Sequence, residues 1–143
     1  MTPRRAATAA LAVLLLLAPA AWAAYPKRGT YIDVKLQAYL TTTKDAKALK
    51  SMTFPCQYRG NDGSLITGGG IQILRKVRIS SAGSVSYSGK AKVAEGSNPP
   101  VVKDVTVTVK FANNRAKGTV TPKKSVCLPV TFNAKNFGVN PQG

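Results

Sequence analysis

Along Val105-Thr106-Val107-Thr108-Val109-Lys110-Phe111, apolar and polar side chains alternate without a break. Successive side chains of an extended chain point to opposite faces, so Val105, Val107, Val109 and Phe111 share one side while Thr106, Thr108 and Lys110 share the other. This predicts an antiparallel strand with one dry face and one wet face. Looser versions of the pattern recur. Tyr31 to Thr43 reads as a first strand with a bend, and Leu49 to Gln57 carries Met52, Phe54 and Cys56 in phase. Ile71 to Ser80 aligns Ile71, Ile73, Val77 and Ile79, but Arg75 interrupts the row, which predicts a bulge or register change. Val85 to Val93, Ala116 to Thr121 and Leu128 to Lys135 complete the set.

The punctuation between these segments is that of β structure. Ser81-Ala82-Gly83 and Asn113-Asn114 read as hairpin turns, and Asn61-Asp62-Gly63 with Gly68-Gly69-Gly70 reads as one long loop. Gly96-Ser97-Asn98-Pro99-Pro100 forms a rigid connector closed to helix. Only Lys44 to Lys50 has helix-forming composition, and a stretch that short between strands is expected to form a turn or a brief helical piece. The fold class is therefore all-β: an antiparallel β-sandwich of about seven strands, with a small closed β-barrel as the alternative.

The N-terminal segment breaks the pattern altogether. Arg4 and Arg5 precede an apolar run from Ala6 to Ala20, followed by Ala21-Trp22-Ala23. A basic head, an apolar centre and small residues at Ala21 and Ala23 make a secretory signal peptide over residues 1–23, with cleavage before Ala24. The run is shorter than the roughly 20 apolar residues a membrane helix needs, and Pro19 interrupts its end. Residues 24–143 are then expected to be one soluble exported domain with no membrane span, secreted or extracellular.

That compartment bears on Cys56 and Cys127, the only two cysteines. An isolated pair in an oxidising environment reads first as a disulfide, and the long loop it would close is worth roughly 4 kcal/mol. A redox or metal role is the alternative, with neither a CxxC spacing nor any His to support it.

Charge adds the next constraint. Of 21 Lys and Arg, Arg4 and Arg5 leave with the signal, so 19 face five acids and the net charge is +14. Lysines on strand edges keep β proteins soluble, and the same field attracts anions. The densest basic clusters are Arg75, Lys76 and Arg78, and Lys123 with Lys124; these are the candidate anion-binding residues. No arginine-rich run with interleaved aromatics marks a nucleic-acid reader, so no specific nucleic-acid partner is expected. An anionic cell-envelope polymer or an acidic protein fits the charge.

The chemistry that is missing narrows the function further. With no His, the usual Ser-His and Cys-His nucleophile pairs and the ordinary zinc ligand set are absent. The five acids, Asp33, Asp45, Asp62, Glu95 and Asp104, are scattered, so no carboxylate pair stands out for glycoside hydrolysis. Asp62 lacks the companions of a calcium loop and reads as a turn residue. Neither a catalytic set, a metal site nor a cofactor is expected.

The order of features also resembles a known family. Met52-Thr53-Phe54-Pro55-Cys56 comes first, then Val77 to Gly89 around Gly83, then Phe111 to Val120 with Ala116-Lys117-Gly118-Thr119-Val120, and finally Cys127 with Phe132-Asn133-Ala134. This is similar to a family of small secreted β-sandwich domains found mainly in actinobacteria, whose members show C…GxFsy…GxF…AxGtv…C…wxA. The resemblance spans roughly Tyr31 to Lys135. The chain departs from it at Val85 and Phe132, where other aromatics are expected, and in a short Cys127-to-Phe132 spacing. The resemblance implies the sandwich and a Cys56–Cys127 bridge, and no activity. The expected function is a secreted, non-enzymatic binding or structural domain. A secreted inhibitor or effector acting through the loop Tyr58 to Gly70 or Glu95 to Pro100 is the alternative, and a Ser/Lys hydrolase comes third.

Overall fold

The computed structural model describes residues 25–139. The segment expected to be a signal peptide, with Ala21, Ala23 and Ala24 at the expected cleavage point, lies outside the described residues. Nine strands follow one another: β1 (Thr30–Asp33), β2 (Ala38–Thr42), β3 (Ala48–Arg59), β4 (Leu65–Ile73), β5 (Val77–Arg78), β6 (Ser84–Glu95), β7 (Val101–Ala112), β8 (Arg115–Pro122) and β9 (Val130–Asn136). All pair antiparallel in one sheet of order β2-β1-β9-β8-β7-β6-β4-β3-β5, and β2 also pairs with β3. That last pairing closes β2 onto β3, so every strand but β5 sits in a ring with a partner on each side. Closing a sheet in this way removes the open edges that invite aggregation.

The ring's interior is the core. Inward rows from every side fill it, including Leu40, Met52, Ile71, Val93, Val107 and Val120, each essentially without solvent contact. Aromatic pairs cross the interior as they would cross the gap between two stacked sheets. Phe54 of β3 meets Phe132 of β9 at 5.1 Å, and Tyr31 of β1 meets Phe111 of β7 edge-on at 5.0 Å. Each such burial contributes roughly 1.5–3 kcal/mol. The all-β expectation therefore holds, with two corrections. There are nine strands, not about seven, and hydrogen bonding unites them in a single sheet rather than two.

The count rises because bends divide segments that looked continuous. Tyr31 to Thr43 folds back at Gln37, whose φ of 56° lies in the left-handed region, and becomes β1 and β2. Ile71 to Ser80 breaks at Leu74–Lys76 into β4 and β5, at the point where Arg75 interrupts the apolar row. Gly68-Gly69-Gly70 is not loop but part of β4, pairing with β3 and β6. Glycine carries no side chain, so it shows no alternation to read. Lys44 to Lys50 forms a turn and the start of β3, not a helix. The Asn113-Asn114 hairpin is as expected: φ values of 51° and 64° at both central residues match the turn that continues the strands' right-handed twist.

The Cys56–Cys127 disulfide is formed across a sequence separation of 71. Its partners are not both strand residues. Cys56 is in β3, whereas Cys127 lies in the loop before β9, which runs beside β3 closely enough for Leu128 N to donate to Gln57 O at 2.6 Å. Among the described residues no helix is long and apolar enough to cross a membrane. A buried disulfide of this kind points to a compartment other than the reducing cytoplasm.

Candidate functional site

Strand register places one outward side chain from each of five consecutive strands in a row: Tyr39, Thr53, Gln72, Lys92 and Val102. Neighbours in such a row stand about 4.8 Å apart. The next row holds Pro55, Gly70 and Ala94, which rise little or not at all above the backbone. A tall row beside a low one makes a trough. It has a volume of about 380 Å³, and Gln37, Thr67 and Pro100 complete its lining. Tyr39 is 42% exposed at its rim. The floor cannot easily be raised at Gly70, where a Cβ would stand 3.2 Å from the Phe54 carbonyl oxygen.

The two loops singled out from the sequence meet at this trough. Tyr58 to Gly70 is the β3–β4 hairpin, and Glu95 to Pro100 is the β6–β7 turn. Gly96 N donates to Gly68 O at 3.0 Å, and Gly69 pairs with Glu95. Thr67 and Gly69 of one and Pro100 of the other line the same groove. Around them Leu65, Ile66, Val101 and Val102 are solvent-exposed.

Lys92 and Gln72 also border a second, smaller depression of about 170 Å³ with Leu74, Arg75, Lys90 and Val102. From there the basic surface continues across β7. Lys90 pairs with Asp104 at 2.8 Å. That hydrogen bond, followed by the charges of Lys90, Lys123 and Lys124, holds the Asp104 carboxyl below its ordinary value. Arg75, Lys90, Lys92, Lys123 and Lys124 thus form one band around a single carboxylate. The sequence clusters divide differently in space. Arg75 joins Lys123 and Lys124 through Lys90 and Lys92, which sequence reasoning did not single out. Lys76 and Arg78 turn away to line another groove with Asp45 and Lys47. Alternation along β6 was the signal that could have exposed Lys90 and Lys92 as a pair on one face.

Each acid is already engaged. Asp33 accepts from Leu36 N and Asn133 N. Asp45 accepts from Thr43 Oγ1 and Lys47 N, and Asp62 from Ser64 N and Oγ. These bonds hold both carboxyls below the usual value, with the side-chain hydroxyl contributing most in each case. Glu95 is well sheltered. It pairs with Lys103 at 2.9 Å, with 16% and 23% of the two side chains exposed, and its other oxygen accepts from Val126 N and Ser125 Oγ. The Val126 bond leads the Lys103 contact in lowering its pKa. Glu95 thereby ties the β6–β7 end to the loop carrying Cys127.

Among the described residues no cluster of three or more acids and cysteines could hold a metal. Among the described residues one Ser/Lys contact exists, Lys110 Nζ to Ser84 Oγ at 3.4 Å, but it lies on an exposed strand face, and the same ammonium also donates to Ala82 O. No family model, curated protein or solved structure matches the chain.

Proposed function

We propose that this protein is an exported, non-enzymatic domain that acts outside the cytoplasmic membrane and binds an anionic polymer of the cell envelope through its basic flank. The observation that carries this reading is the band of Arg75, Lys90, Lys92, Lys123 and Lys124 around Asp104. With every acid committed to a turn, a loop or an ion pair, the surplus of cations faces solvent and sets the long-range field. The disulfide and the N-terminal signal pattern support export. The test is retention on isolated cell envelopes. Retention at low salt is expected to fall steeply by about 1 M salt, where screening falls to about 3 Å, and to weaken when Lys92, Lys123 and Lys124 are changed together to Gln. Retention unchanged by salt would reject the electrostatic reading.

A second reading follows from a different observation. Two loops converge, with Leu65, Ile66 and Val101 exposed beside them, and function carried on loops of a rigid β framework is common. On that reading the domain is an inhibitor or effector that docks on another protein. Proteolytic nicking of the β3–β4 hairpin that left the biological effect intact would count against it. The hydrolase reading has behind it only the Lys110–Ser84 contact of 3.4 Å on an exposed strand face.

A further inference from the structure

We infer that the trough beside the basic band is a saccharide subsite that takes a carboxylated pyranose unit of the anionic polymer. The inference rests on the envelope-binding reading and adds what the trough would recognise. Charge complementarity and the chemistry of the lining point to this occupant. A pyranose ring has an apolar face, several hydroxyls and, in a uronate, one negative charge. The trough offers the counterpart of each. Tyr39 presents a partly exposed ring at the rim. Gln72 and Thr53 stand next to it in the same cross-strand row, each able to donate and accept hydrogen bonds. Lys92 follows in that row and is shared with the basic band, so the cation nearest the trough is also the link to the band. Of the two aromatic lining residues Phe54 is buried, and the one exposed ring left, Tyr39, argues against a nucleic-acid strand, whose binding depends on repeated stacking. The low floor is built in by Gly70 and Ala94 and needs no side chain to move.

The test uses the purified protein with its disulfide formed and three probes: a short oligogalacturonate, the neutral galactose oligomer of equal length, and polyphosphate. At low salt the oligogalacturonate is expected to bind more tightly than the neutral oligomer. At about 1 M sodium chloride polyphosphate binding should collapse, while a measurable oligogalacturonate affinity persists through contacts that screening does not remove. Tyr39→Ser removes the ring, and Ala94→Leu fills the trough from an outward position. Each should weaken the oligogalacturonate roughly ten-fold, the scale of one lost aromatic contact, and leave polyphosphate unchanged. Two variants at different positions, both checked for an unaltered thermal midpoint, separate a lost contact from a lost fold. Equal binding of the neutral oligomer, or variants that affect both polyanions alike or neither, would overturn the subsite while leaving the envelope reading standing. If neither polyanion binds at low salt, the envelope reading falls and the subsite with it.

Discussion

The side of the ring built by β6, β7, β8 and β9 and the side built by β2, β3 and β4 obey different rules. On the first, three successive pairings run without a register shift. Outward positions carry Ser86, Thr108, Thr119 and Thr131 in one unbroken row, with Ser84, Lys110, Lys117 and Asn133 in the next. On the second, the ladder shifts between Thr41 and Thr42 and again between Pro55 and Gln57, and β4 contains Gly68, Gly69 and Gly70. Regular alternation produces an even surface that serves mainly to close the ring. Irregularity produces relief: a bulge, a proline with no donor and glycines with no side chain create the trough that even strands would lack. The disulfide ties the irregular side to the loop before β9, and the Glu95 contacts tie the β6–β7 end to that same loop.

The strongest way to break the comparison is to remove the bridge. Changing Cys56 and Cys127 together to Ser should cost about 4 kcal/mol in denaturant unfolding, since the loop released is long. Hydrogen exchange should then rise first around β3 and the loop before β9, with β7 and β8 least affected. Protection lost evenly over the ring would show that the two sides are not independently secured.

The regular side has its own point of sensitivity. Gly118 pairs with Phe132, and a Cβ there would meet the Thr108 carbonyl oxygen and come within 2.9 Å of the Phe132 ring. Gly118→Ala should therefore cost about 1–3 kcal/mol by overpacking. Trough filling by Ala94→Leu should be close to neutral. A chemical denaturation series on both variants checks the contrast.

Glu95→Gln should cost about 1–2 kcal/mol near neutral pH by weakening the contacts to Lys103, Val126 and Ser125. The sign of its pH dependence follows from the lowered folded-state pKa. The carboxylate's contribution is fully present above its ordinary value of 4.5 and is lost as pH falls through the lower folded value. The gap between parent and variant should accordingly narrow in acid. A constant gap from pH 7 to well below 4.5 would show that the charge of Glu95 contributes nothing.

The smallest effect belongs to the even face. Lys110 and Lys117 are directly opposed across β7 and β8, as are Arg115 and Lys135 across β8 and β9. Like charges in such positions repel, so Lys117→Glu should stabilise the fold by about 0.3–0.5 kcal/mol at low salt, shrinking as salt rises. Destabilisation instead would mean that the opposed cations are held apart by solvent.

Legibility followed the same division. β7 and β8 and the Asn113-Asn114 turn were readable because each residue's facing and each turn's backbone demand are local properties. The break at Arg75 was visible as an interrupted row, although its outcome, an ended β4 and a separate β5, was not. The glycines of β4 were read as loop because a residue without a side chain leaves no periodic trace. Of the basic residues, Arg75, Lys123 and Lys124 do share one band, but Lys90 and Lys92, which connect them, were hidden among evenly spread lysines.

By itself the amino-acid sequence determined the all-β class, the single candidate bridge and the excess of cations, because alternation, cysteine count and charge are additive along a chain. Only the tertiary structure decided which strands close the ring, that Tyr39, Thr53, Gln72 and Lys92 stand in one row, and that the hairpin after Tyr58 meets the turn after Glu95. Those facts depend on pairing register between distant segments. A slip of one residue would turn every side chain to the opposite face, and register is set by the packing of the whole interior.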